Sequence, residues 1–146
     1  MILVDTSVWV DHLRVGDAGL AGMLENGQVL AHPFVIGELS LGDLRRRSAI
    51  LEDLADLPQA QVATDPEALR FIDDRALFGL GIGYVDVHLL AATQLTPGAK
   101  LWTRDKRLLA AADRLGLAAP RPRPDVMGVY ETSHARFASV YERLAK

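Results

Sequence analysis

Short apolar runs that alternate with helical stretches constrain this chain more than any other feature. Ile2-Leu3-Val4, Gln28-Val29-Leu30-Ala31, Gln61-Val62-Ala63, Lys100-Leu101-Trp102-Thr103 and Leu117-Ala118-Ala119 all have strand length, and segments of helical period separate them. A chain that returns to a strand after each helix must cross over its sheet. The strands then run parallel and the helices cover both faces. The expected fold is α/β, with a central parallel sheet of about four or five strands. At 146 residues the chain suits one domain with a proper core.

Local signals place the helices. Thr64-Asp65-Pro66-Glu67 combines a capping residue, a proline and an acid, and predicts a helix that buries Leu69, Ile72 and Ala76. Pro33 opens a helix carrying Phe34, Leu39, Leu41 and Leu44, expected to close at Arg45-Arg46-Arg47, with another from Ser48 to Leu57. At Pro120-Arg121-Pro122-Arg123-Pro124 the composition changes to that of an extended linker. The reading is a domain over residues 1–119, a linker over 120–131, and a C-terminal helix over 132–146.

Four acids stand where folding alone hardly requires them. Asp5 and Asp105 follow strands, Asp86 lies in a helix's first turn, and Glu38 sits among apolar residues of the Pro33 helix. Ligands of open parallel sheets collect beyond the carboxyl ends of the strands, where these residues would meet. Capping alone explains many acids like Asp5, Asp86 or Asp105 taken singly. Together, without a counter-ion, they would repel one another and hold some members protonated. A hard divalent cation, Mg²⁺ or Mn²⁺, removes that cost and takes oxygen ligands. Thr6, Ser7 and Thr103 can orient those ligands or a bound water.

These residues resemble the PIN domain, and in particular the VapC-type toxins of bacterial toxin–antitoxin pairs. The resemblance is carried by Leu3-Val4-Asp5-Thr6-Ser7-Val8, the Glu38-Leu39 helix, Gly83-Tyr84-Val85-Asp86-Val87-His88-Leu89-Leu90-Ala91-Ala92 and Leu101-Trp102-Thr103-Arg104-Asp105-Lys106-Arg107-Leu108. The acids follow with gaps of 33, 48 and 19 residues (5 to 38, 38 to 86, 86 to 105). The resemblance spans about residues 1–119. It implies a Mg²⁺- or Mn²⁺-dependent endoribonuclease, dimeric and inhibited by a cognate antitoxin. It also implies Asp5, Asp86 and Asp105 as metal ligands, with Glu38 a further ligand or a residue that positions the water.

Other residues carry weaker signals. Arg104, Lys106 and Arg107 adjoin Asp105 and could guide an RNA backbone, as could Arg45, Arg46 and Arg47, although a basic helix end is commonly a solvated face. His12, His32, His88 and His134 lack ligand spacing and read as surface or packed residues, and Trp9 and Trp102 read as core or interface. The chain has no cysteine, which excludes disulfides and thiolate chemistry and fits a cytoplasmic protein. No apolar run is long enough to span a membrane, and Asp5 interrupts the N-terminal run before it could serve as a signal peptide. Two rival readings remain: a non-catalytic module that binds a partner through its acid pocket, and a phosphatase of the haloacid dehalogenase type. The phosphatase would want an aspartate two residues after Asp5, where Ser7 stands.

Overall fold

In the computed structural model, which describes residues 1–120 and 143–145, β1 (Ile2–Val4) lies between β2 (Val29–Leu30) and β3 (Lys100–Trp102), all parallel. Ile2 stands opposite Val29 and Lys100, and Leu3 opposite Leu30 and Leu101. Successive strand residues point to opposite faces, yet Leu3 and Val4 are both fully buried, as are Val29 and Leu30. The sheet is therefore covered on both sides, as expected of a parallel sheet.

The sheet is narrower than the apolar runs suggest. Three strands form, and one parallel rung extends each edge, Ala31 with Gln59 and Leu101 with Ala118. The run Gln61–Ala63 is not a strand: the pairing falls earlier, where Ala31 donates to the Pro58 carbonyl and Ala60 to that of Ala31. Val62 points outward, half exposed. Leu117 and Ala119 bond Leu101 from either side, which makes a single bridge and not a strand among the described residues.

Between strands run α1 (Thr6–Val15), α2 (Ala18–Glu25), α3 (Pro33–Ser40), α4 (Arg47–Asp56), α5 (Asp65–Arg75) and α6 (Tyr84–Leu95), and α7 (Lys106–Arg114) follows β3. α5 starts as its sequence predicts, with Thr64 and Glu67 forming a reciprocal capping box. Its packed face differs from expectation: Ala68 is fully buried, whereas Leu69 is 56% exposed. α3 ends at Ser40, earlier than its apolar pattern suggests. Leu41 and Gly42 close it with tightened bonds to the Glu38 and Leu39 carbonyls, and Arg47 reaches back to cap the Ser40 carbonyl. Arg45-Arg46-Arg47 thus spans the α3–α4 turn and the start of α4.

The expected linker, 120–131, and most of the expected helix, 132–146, lie outside the described residues. Residues 143–145 are helical, and Leu144 is buried as part of the main core, which also holds Leu3, Trp9, Leu24 and Leu54.

Candidate active site

From β1 the chain first moves out to β2 on one side and later returns to β3 on the other. The crevice beyond β1 and β3 is the point where strand order reverses, the place where open parallel sheets bind ligands. Asp5 follows β1, and Thr103 to Asp105 follow β3.

Asp5 occupies the N-cap position of α1 but makes no side-chain cap bond. Its Oδ2 accepts from Ser7 Oγ at 2.7 Å and from Thr103 Oγ1 at 2.8 Å. Those hydroxyls are held in turn: Ser7 Oγ accepts from the Arg104 amide and Thr103 Oγ1 from the Asp105 amide. A 6% exposed carboxylate is thus fixed from two chain segments, and capping does not account for it. Asp105 does cap α7, accepting from the amides of Arg107 and Leu108 through Oδ1. Asp86 Oδ2 accepts from the Gly83 amide, the return half of a capping box at α6. Glu38, exposed on α3, receives the Thr6 hydroxyl on Oε1 at 2.8 Å.

The four acids share one pattern. Each is tethered through one carboxylate oxygen, and its second oxygen has no hydrogen bond among the described residues. No salt bridge among the described residues neutralises any of them. They are close enough to interact. Burial pushes the Asp86 carboxyl above its usual range; the Gly83 amide opposes this, and the charges of Asp5, Asp105 and Glu38 add to the rise. No three side chains among the described residues are drawn together as a closed ligand set. The donor set nonetheless fits a hard cation: four oriented carboxylates, no soft ligand, and a floor of buried Asp5 rising to a rim of exposed Glu38 and Asp105. Asp5, Asp86 and Asp105 could hold such an ion, with Glu38 reaching in from α3.

A family model for the PIN domain matches residues 2–115, the span that carries all four acids and the sheet between them. The chain belongs to the PIN-domain family. A protein named Ribonuclease VapC32, from Mycobacterium tuberculosis strains CDC 1551/Oshkosh and ATCC 25618/H37Rv, is 50% identical over 118 residues, covering 81% of this chain and 95% of the relative. The match places this PIN domain among VapC-type proteins and removes the haloacid dehalogenase reading. No solved structure matches at a significant level.

Several residues around the acids were not legible as supports. Arg104, adjacent to Asp105, is committed elsewhere: its guanidinium binds Asp11 and Asp17 and lies over the Trp102 ring. Burial raises the Asp17 carboxyl, but the Leu20 amide and Arg104 bring it below its usual value. The clamp ties the loop bearing Thr103 and Asp105 to α1 and to the start of α2. Arg47, in the other basic run, is spent on the Ser40 carbonyl. His88, which follows Asp86 by two residues on α6, is buried and bonds Asp65 at the start of α5; Tyr84 donates to the same oxygen. The rings of His32, Phe34, His88 and Tyr84 meet edge to face in a row joining the first turns of α3 and α6. His12 and His32 are buried as well, in agreement with a packing role, and His134 lies outside the described residues.

Proposed function

We propose that this PIN domain is a divalent-metal-dependent endoribonuclease and the toxin of a toxin–antitoxin pair. One observation carries the reading. Four carboxylates stand near the switch point of the sheet, close enough for the charges of Asp5, Asp105 and Glu38 to act on Asp86, each anchored through one oxygen, with the other free of hydrogen bonds among the described residues. Mg²⁺ or Mn²⁺ held there would supply charge stabilisation and an activated water for in-line attack on a phosphodiester. The chain's own contribution is placement. Ser7 and Thr103 fix Asp5, the α7 amides fix Asp105, and Gly83 fixes Asp86. Thr6 orients Glu38 at the rim, where it can hold a water or complete the ligand set. Neither a histidine nor a serine nucleophile is required.

The ribonuclease named among the relatives supports RNA as the substrate class, and the resemblance to VapC toxins supports a co-encoded antitoxin, a homodimer and action in the cytoplasm. An antitoxin could silence the site by placing an arginine among the four acids. Among the described residues no helix is long and apolar enough to cross a membrane.

The deciding experiment compares the wild type with Asp5→Asn, which keeps shape and loses charge. The variant should fold yet lose RNA cleavage by at least about a hundredfold. Wild-type cleavage should vanish in EDTA and return with Mg²⁺ or Mn²⁺. Full activity in purified Asp5→Asn, or cleavage that persists in excess chelator, would refute the mechanism. Arrested growth on expression of the wild type, but not of Asp5→Asn, would support the toxin reading over a partner-binding module.

A further inference from the structure

Arg107 and Gly81 form a pairing that the acidic cluster does not account for. Gly81 lies in the glycine-punctuated loop before α6 with φ +77°, and a β-carbon there would stand 2.6 Å from Arg107 Nη1, 3.0 Å from its Cδ and 3.1 Å from its Cζ. The Arg107 side chain therefore lies directly across the bare glycine backbone. Its own amide holds Asp105 at 2.9 Å, while Gly83, two residues after Gly81, holds Asp86. Arg107 thus spans the two loops that support two of the acids. Its guanidinium has neither a hydrogen bond nor an ion pair among the described residues, whereas those of Arg104 and Arg47 are consumed. An acidic cleft repels a polyanion, so an unpaired cation on the loops that carry two of its acids has a clear use. The planar fork of a guanidinium matches two phosphate oxygens.

We propose that Arg107 grips a substrate phosphate beside the four acids, and that Gly81 is glycine so that the arginine can lie across the loop into that position. The inference rests on the ribonuclease reading above and narrows the predicted RNA contacts to the arginine whose guanidinium is unpaired among the described residues and whose side chain lies against Gly81.

The test uses the full chain with Mg²⁺ and a fluorophore-labelled single-stranded RNA of mixed sequence. Arg107→Ala and Gly81→Ala should each raise KM about tenfold while kcat changes less than about threefold, the loss of a charged hydrogen bond made equally in ground and transition states. In a salt series, the dependence of log KM on log salt should weaken by about 0.7 for Arg107→Ala. The double variant should be no worse than either single one, because both remove one contact. Gly79→Ala is the control: its φ is +73°, but open space surrounds its would-be β-carbon, so it imposes the same backbone strain without touching Arg107. It should leave KM at the wild-type value and match Gly81→Ala in thermal midpoint. Unchanged KM in Arg107→Ala, with an active wild type, overturns the grip and leaves the ribonuclease reading standing. A raised KM in Arg107→Ala but not in Gly81→Ala overturns the role of the glycine. A wild type that cleaves no RNA overturns both readings.

Discussion

A single histidine illustrates how placement sets a residue's chemistry. His32 is fully buried at the N-cap of α3, where its Nδ1 accepts the Phe34 amide at 3.0 Å. The proton of the neutral ring must then sit on Nε2, which has no partner among the described residues. Burial, helped by nearby His88, lowers the His32 pKa to about 4, because a second proton would charge a buried ring and break the cap. Above the ordinary histidine value both folded and unfolded chains are neutral at this site, so stability does not vary with pH there. Between about 6.5 and about 4 the unfolded chain binds a proton that the native one refuses, so stability falls with pH by up to about 3 kcal/mol from this group. His32→Asn keeps an acceptor for the Phe34 amide and cannot titrate. Its unfolding free energy, measured by denaturant across that window, should fall less steeply than the wild type's. Equal slopes would refute the assignment.

At the scale of elements, helix ends do most of the positioning. α6 and α7 each present an acid at the N-terminus, where the helix dipole favours negative charge, and α1 begins at Asp5 without using it as a cap. The opposite end of α5 shows a cost left in place. Ala76 terminates the helix in the left-handed region at φ 52°, and Arg114 on α7 donates to the carbonyls of Arg75 and Ala76. A β-carbon is unfavourable in that conformation, and glycine is the usual occupant. Ala76→Gly should therefore stabilise the protein by about 0.5 kcal/mol, the relief of strain exceeding the added freedom of the unfolded chain. Its thermal midpoint should rise while RNA cleavage is unchanged. Ala76 is exposed, although the sequence predicts it buried, so a lowered midpoint would show that its methyl still does packing work.

Across the whole molecule, the last described residues bind the chain's end to its beginning. Asp17's amide donates to His12 Nδ1, which leaves Nε2–H to donate to the Leu144 carbonyl at 2.6 Å. Arg143 forms a fork on Asp53 of α4, with three contacts of 2.7 to 3.0 Å. Leu144, between these two anchors, is 2% exposed. The curated relative matches over 81% of this chain, so about a fifth of the chain lies outside that match. Leu144→Ala should cost about 2–5 kcal/mol, the usual range for emptying such a site, without removing a residue of the acidic cluster. Stability within about 0.5 kcal/mol of wild type would mean that the C-terminal turn is not integral to the core.

The sequence determined the α/β class, the parallel sheet and the capped start of α5, because these rest on local periodicity and capping chemistry, and it singled out the four acids as candidates by their residue type and their places at strand and helix ends. Which oxygens are tethered depended on tertiary structure, since Ser7 and Thr103 meet at Asp5 from segments almost a hundred residues apart. The same distance effect separates three basic residues that look alike in sequence. Arg104 is locked by Asp11 and Asp17, Arg47 by a carbonyl of the preceding helix, and Arg107 is left resting on a glycine. The width of the sheet and the exposure of Leu69 were likewise decided by packing. An apolar run states what a segment could bury, and only the assembled neighbours determine what it does bury.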